Sequence, residues 1–213
     1  DNPLTFSIED GFGFMGGDAF IDVATATFNM VNTHLRSTPI GFRGVIVNGR
    51  SHAFAIFRMD FCSRGIEARP KKLFGISPLV VQNCDFNRGY RGIIVDSTDI
   101  GMFNTSVDSM SLFGIATRKS DALISNCNFT DCGTGMMAVE GIEVVNSTSF
   151  ILCNTGFDSY KPMGTPKITG GSSEFNVDFG YRFHGSSGHA EMDDVRANYN
   201  EVGVQVTGGM ELR

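Results

Sequence analysis

Ala122-Leu123-Ile124-Ser125-Asn126-Cys127-Asn128-Phe129-Thr130-Asp131-Cys132-Gly133-Thr134-Gly135-Met136-Met137-Ala138-Val139 is one copy of a phrase that recurs along the chain. It reads as an apolar strand, a small polar residue, an aromatic, a short polar link, then Gly followed by alternating apolar residues. The Gly recurs at Gly44, Gly65, Gly92, Gly114, Gly135, Gly156, Gly180 and Gly203, at spacings of 21, 27, 22, 21, 21, 24 and 23. A second column precedes it: Phe28, Phe61, Phe86, Val107, Phe129, Phe150, Phe175 and Tyr199. A third holds Asn83, Asn104, Asn126 and Asn146, with Gly170 and Gly171 in the next copy. Asn and Gly share tolerance of the left-handed backbone conformation, so this third column predicts a tight bend between strands, with Asn side chains stacked along it.

After each Gly the sequence alternates as a strand does, in Val45-Ile46-Val47, Ile93-Ile94-Val95, Met136-Met137-Ala138-Val139 and Val204-Gln205-Val206. Three short strands per turn of roughly 22 residues make a parallel β-helix. A leucine-rich repeat needs regular Leu and a helical return segment, and neither is present. A sandwich needs hairpin turns, for which Asn48-Gly49 is the only Asn-Gly pair. The expected architecture is all-β, a solenoid of about eight coils and on the order of 40 Å long at one strand spacing per coil. Residues 1–19 are read as an N-terminal capping segment and 20–213 as the β-helix domain. The few residues after Gly203 leave the last coil without a convincing cap, which points to assembly with a partner or a continuing chain.

Composition narrows the function classes. Across 213 residues, 17 Lys and Arg against 23 Asp and Glu leave a net charge of −6, opposite in sign to a duplex-binding footprint, so no nucleic-acid partner is expected. No window approaches the roughly 18 apolar residues of a spanning helix, so no membrane partner is expected either. Five cysteines, Cys62, Cys84, Cys127, Cys132 and Cys153, cannot all pair within one chain and form no Cys-x-x-Cys motif. They read as buried free thiols, folded in a reducing compartment, with Cys132 and Cys153 close together on adjacent coils.

The repeat, from about Phe20 to Val206, resembles the right-handed, pectin-lyase-like β-helix superfamily, whose members stack Asn at a turn and pack aromatic and aliphatic residues inside. That resemblance implies a site on one outward sheet and the longer links beside it. Here the departures from minimal spacing are 29–42, 68–77, 158–166 and 184–189. Four residues past each Gly stands a further column: Asn48, Arg69, Asp96, Arg118, Val139, Tyr160, His184 and Thr207. Read as a ligand groove, Arg69 and Arg118 contact anions, Tyr160 gives a stacking surface, and Asp96 or His184 are the acid/base candidates. Read as a solvated face, Arg69, Asp96 and Arg118 neutralise one another.

A second group, His184, His189, Glu191, Asp193 and Asp194, has metal-binding residue types without a zinc-helix motif, so no metal and no cofactor is expected. Asp131, Glu140, Glu143 and Asp158 are scattered in register, unlike a paired-carboxylate glycosidase site. Polygalacturonase signatures are absent in order; Ser187-Gly188-His189 and Lys167-Ile168-Thr169 are partial echoes. The resemblance therefore implies, first, a noncatalytic structural or adhesive module of a bacteriophage virion: a tailspike, tail fibre or head decoration, folded in the host cytoplasm. It would bind a surface polysaccharide or other virion proteins, and homotrimers are the usual arrangement of such spikes. The alternative is an extracellular or tailspike-type polysaccharide lyase or hydrolase.

Overall fold

The computed structural model describes the backbone of residues 5–9, 21–23, 27–36, 40–46, 53–60 and 64–70, the side chain of Ile66, and every residue from 79 to 213. The strands pair in parallel, each with the strands one turn before and after it. Three sheets result. The first contains Leu79–Gln82, Ile100–Phe103, Ala122–Ser125, the starts of Glu143–Ile151 and Lys167–Glu174, His189–Asp193 and Glu211–Leu212. The second takes the starts of Asp85–Asp96 and Ser106–Arg118, Asn128–Thr130, the ends of Glu143–Ile151 and Lys167–Glu174, and Arg196–Asn198. The third takes the ends of Asp85–Asp96 and Ser106–Arg118, then Thr134–Val139, Thr155–Tyr160, Phe179–His184 and Val202–Thr207.

The fold is the expected all-β solenoid, with six turns in this fully described part rather than eight over the whole chain. Earlier strands continue the same ladders: Arg64–Pro70 pairs with Asp85–Asp96, Ile40–Ile46 with Arg64–Pro70, and Thr5–Glu9 with Thr27–Arg36. The rest of residues 1–19 lies outside the described residues.

Each turn has three corners, and in the six turns from residue 79 onward all but the one at Gly185 are made by a left-handed residue. Between the first and second sheets these are Asn83, Asn104, Asn126, Ser147, Gly170 and Asp194; between the second and third, Arg88, Ser109, Asp131, Leu152, Phe175 and Tyr199; between the third and first, Ser97, Lys119, Glu140, Lys161 and Gly208. A non-Gly residue in this region costs roughly 1–2 kcal/mol. The compensation is a ladder that continues around the bend. The corner N–H donates to the carbonyl one turn on, as in Asn126 to Asn146, Asp131 to Ile151 and Lys119 to Val139, all at 2.8–3.0 Å.

The Asn column holds for Asn83, Asn104 and Asn126, but Asn146 stands one place early. It pairs with Ser125, and Ser147 takes the bend. Ser fits because the requirement at the corner is a backbone angle in an exposed residue, not an amide.

The Gly column is a close approach. A Cβ on Gly135 would stand 2.6 Å from the Gly156 carbonyl oxygen and 2.6 Å from Cδ1 of Phe150, and Gly114 and Gly156 are as tightly placed. Its first member is Gly41 rather than Gly44. Ile40 and Phe42 pair with Arg64 and Ile66, leaving Gly41 opposite Gly65, while Gly44 pairs with Ala68.

Inside, Phe86, Val107, Phe129 and Phe150 stack in register, and the Phe129 and Phe150 rings lie 5.2 Å apart and nearly parallel. The expected column then breaks. Ser173 and Ala197 continue it, and Phe175 and Tyr199 are exposed corners. Tyr181 reaches in from the third sheet, its ring 6.1 Å from Phe150, and the Asn176 amide donates to Ser173 Oγ. Those groups fill the space an inward Phe175 would need. Phe61 lies outside the described residues, where Met59 pairs with Phe86, and Phe28 pairs with Phe6. The excursion expected at 29–42 is largely strand, Thr27–Arg36 and Ile40–Ile46.

Behind the corners run ladders of small polar groups. Cys84, Thr105, Cys127 and Thr148 follow the first corner, where Thr105 Oγ1 accepts from the Cys84 N–H and Thr148 Oγ1 from the Cys127 N–H. Cys132, Cys153, Asn176 and Asn200 follow the second, and Asn176 Oδ1 accepts from the Cys153 N–H. Cys84, Cys127, Cys132 and Cys153 are buried, the last three as free thiols, and Cys62 lies outside the described residues. Burial pushes the Cys127 thiol up to about 11. The hydrogen bond with Cys153, together with burial, raises that of Cys132.

Glu143 is fully buried in this interior. Ser159 Oγ donates to its Oε2 at 3.1 Å, and Oε1 has no partner. Burial lifts its carboxyl from an ordinary 4.5 to about 7. The folded state thus keeps a proton that the unfolded chain has already lost.

Two outcomes follow from this packing. Gly135→Ala lowers stability by about 1–3 kcal/mol in denaturant titration, because a packed carbonyl and ring must both move. A change below roughly 0.5 kcal/mol would show that the turns separate freely at this column. For Glu143, stability falls as pH rises from 4.5 to about 7 and levels off above. That fall is on the order of 3 kcal/mol from one carboxylate, and Glu143→Gln removes the slope. Equal pH slopes in the two proteins would place the carboxyl in contact with water.

Candidate functional site

The third sheet presents two outward rows. One reads Ile94, Ala116, Met137, Asp158, Arg182 and Gln205; the other reads Asp96, Arg118, Val139, Tyr160, His184 and Thr207. The second is the column the spacing predicts, in register over six strands. Asn48 lies outside the described residues, and Val45 is the residue that pairs with Arg69. Since Ala68 pairs with Val95, the Arg69 backbone stands beside Asp96.

Chemically the column divides in two. At one end a groove of about 360 Å³ has a floor of Ile94, Phe113, Ala116 and Met137 with Arg91 and Arg118 on its sides. Asp96 Oδ1 is 3.4 Å from Arg118 Nε and accepts from Ser97 Oγ at 2.9 Å. This pair is exposed, so its attraction is weak in water and worth little to stability. Arg91 lies 5.2 Å from the centre of the Tyr90 ring, and its buried Nε has no hydrogen-bond partner.

Past Val139 stands the second cluster. Asp158, buried on the sheet surface, receives two hydrogen bonds from Arg182, one of them Nε to Oδ1 at 3.0 Å. That fork holds the guanidinium charge even more firmly than usual. Arg182 also lies 4.8 Å from the centre of the Phe179 ring. His184 Nε2 is 3.7 Å from Asp158 Oδ1, and its Nδ1 is hydrogen-bonded to Thr207 Oγ1 at 2.8 Å. Tyr160 is exposed with its ring centre 6.0 Å from that of His184, and Lys161 Nζ stands 5.3 Å from the Tyr160 ring centre. Asp158 and Arg182 carry this cluster, and neither belongs to the predicted ligand set. The signal was parity: each stands two residues before Tyr160 or His184, hence on the same face of the same strand.

The other candidates separate. His189 and Lys167 both contact Glu191, at 3.4 Å each, and the Lys167 hydrogen bond lowers the Glu191 carboxyl. Asp194 is a corner residue, Asp193 faces out of the first sheet, and His184 belongs to the third. Among the described residues no three ligating side chains converge on a metal site. Asp131 accepts from Ser109, Glu140 stands 3.9 Å from Lys119, and Glu143 is interior, so these carboxylates point to different places.

Residues 43–212 match the family described as the right handed beta helix region, and the chain belongs to it. The solenoid is therefore of the right-handed class. No curated protein and no solved structure matches the chain.

Asp158→Asn removes the charge that both Arg182 and His184 face. It lowers stability by about 1–3 kcal/mol in denaturant titration. A neutral result would mean that water satisfies Arg182 and that the cluster is not a fixed unit.

Proposed function

We propose that the chain is a noncatalytic, adhesive β-helix module that holds a surface polysaccharide along the outward face of its third sheet, as a component of a bacteriophage virion. One observation carries this reading. From residue 79 onward, both carboxylates in the two outward rows of the third sheet are occupied by an arginine of the next turn: Asp96 by Arg118 and Asp158 by Arg182. A carboxylate paired this way serves to position an arginine for ligand contact. Arg91, Arg118 and Tyr160, beside an apolar floor, suit an acidic glycan presenting carboxylates to the arginines and ring C–H groups to the aromatic. Buried thiols accord with folding in the host cytoplasm before use in the virion. Assembly with other virion proteins or as a homotrimer belongs to the same proposal.

The second reading, a lyase or hydrolase, is favoured by the His184 contacts with Thr207 and Asp158, which orient an imidazole at the surface. The two readings part on mutation. For a binder, Tyr160→Ala weakens attachment to an acidic polysaccharide about tenfold, while Asp96→Asn changes it modestly and no new reducing or unsaturated ends form. For an enzyme, depolymerisation is present and falls roughly 10²–10⁴-fold in Asp96→Asn or His184→Ala with binding retained. End-group assays on host-envelope polysaccharides, run beside binding titrations, decide between them.

A further inference from the structure

The corner between the second and third sheets changes character along the solenoid. Its left-handed residues are Arg88, Ser109 and Asp131, then Leu152, Phe175 and Tyr199 at φ of 58°, 56° and 56°. Bulky side chains are the costliest choice for this backbone region, and Asn or Gly would serve the bend at less cost. Burial offers no compensation: Leu152 is 56% exposed, Phe175 49% and Tyr199 77%, with Val177 beside them at 63%. The two rings stack on each other at 4.7 Å and 3°, which returns only part of the cost. Strained residues that are also exposed and apolar mark a site whose purpose lies outside the fold.

The surroundings specify the occupant. On the adjoining outward face of the second sheet Asn128, Ser149 and Ser172 stand in one row at one strand spacing, and Thr130 and Asn198 lie in the other, with Ile151 and Glu174 between them. The charges next to the ridge are mainly acidic: Asp131, Glu174, Asp178 and Glu201, with Arg196 opposing them. An acidic polymer is repelled here, in contrast to the arginine-bearing third sheet. Four partly exposed side chains offer a few hundred Å², on the order of half of the roughly 800 Å² that each partner buries in a standard protein interface.

We infer that the Leu152, Phe175, Val177 and Tyr199 ridge, with the hydroxyl and amide face of the second sheet, is a second binding site that takes uncharged sugar residues. Pyranose C–H groups lie against the ridge, and sugar hydroxyls exchange hydrogen bonds with the Ser, Thr and Asn side chains. This site uses different residues and a different charge preference from the third-sheet groove, and it does not rest on the function proposed for that groove.

The test uses the full chain and the double variant Phe175→Asn with Tyr199→Asn, in which both corners keep a residue suited to the left-handed backbone. The probes are neutral hexose and N-acetylhexosamine oligosaccharides, with uronic-acid oligosaccharides alongside. The expected result is millimolar or tighter binding of a neutral probe, weakened at least tenfold in the double variant, with Tm unchanged or raised. The corresponding Gly pair gives the same result should the Asn pair fold poorly. A Tm lowered by several degrees with sugar binding intact would make the ridge a structural staple and overturn the inference. A change from oligomer to monomer in the variant would make it a contact between copies, with the same consequence. Failure of every neutral probe to bind at millimolar concentration also overturns it. Loss of neutral-sugar binding in Tyr160→Ala but not in the double variant would assign the sugar to the third sheet instead, separating failure here from failure of the proposal above.

Discussion

The structure depends on turning three corners per coil at the same place in successive coils. If one corner drifts by a residue, every strand beyond it presents the wrong face and its carbonyls miss the next turn. A single left-handed residue solves this compactly, because it reverses the chain while its own N–H still reaches the carbonyl one turn on, as Asn104 does to Ser125 and Phe175 to Asn198. The strain is accepted repeatedly and offset by the hydrogen bond that the corner N–H still makes to the next turn, as at Asn126, Asp131 and Lys119. The contact of Gly135 with Gly156 and Phe150 belongs to the same constraint, since turns this close leave no room for a Cβ at that point.

Behind each corner a backbone N–H turns inward and needs an acceptor that fits an apolar bore. Thr105 and Thr148 supply hydroxyls that also donate to Phe103 and Asn146, and Asn176 and Asn200 supply amides where the interior widens. Cysteines alternate with them because a thiol fills the same volume and makes a weak bond to the nearby carbonyl, as Cys127 does with Ser125. Glu143 is the exception. It places a carboxyl in this bore with one donor and one orphan oxygen, and so it is the interior group whose charge state responds to neutral pH.

The outward faces inherit the register without choice. A side chain on the third sheet has its neighbour of the same row one strand spacing away, so carboxylates and arginines in one row meet as Asp96 and Arg118 do, and Asp158 and Arg182 likewise. The resulting surface is rigid and elongated, cationic beside an apolar groove on one side and acidic beside aromatic residues on another. A fold of this kind does not choose a function, but it holds functional groups in line at fixed spacing.

From the sequence alone, the Gly column, the Asn bends at Asn83, Asn104 and Asn126, and the row from Asp96 to Thr207 were legible, because each rests on periodicity and on residue types with a narrow backbone role. The other two corners were not. Lys119, Glu140, Leu152 and Phe175 carry no left-handed preference of their own, and only the stacking of neighbouring turns forces them into it. For the same reason Phe175 and Tyr199 read as core from their hydrophobicity, whereas the space inside was already taken by Tyr181 and the Asn176 amide, a competition for volume that no single repeat records. Asp158 and Arg182 were visible as residues but not as partners, since they are 24 positions apart and meet only through the register of adjacent turns. The sequence determined the solenoid and the row from Asp96 to Thr207. Tertiary packing decided which of them face outward and which charges neutralise each other.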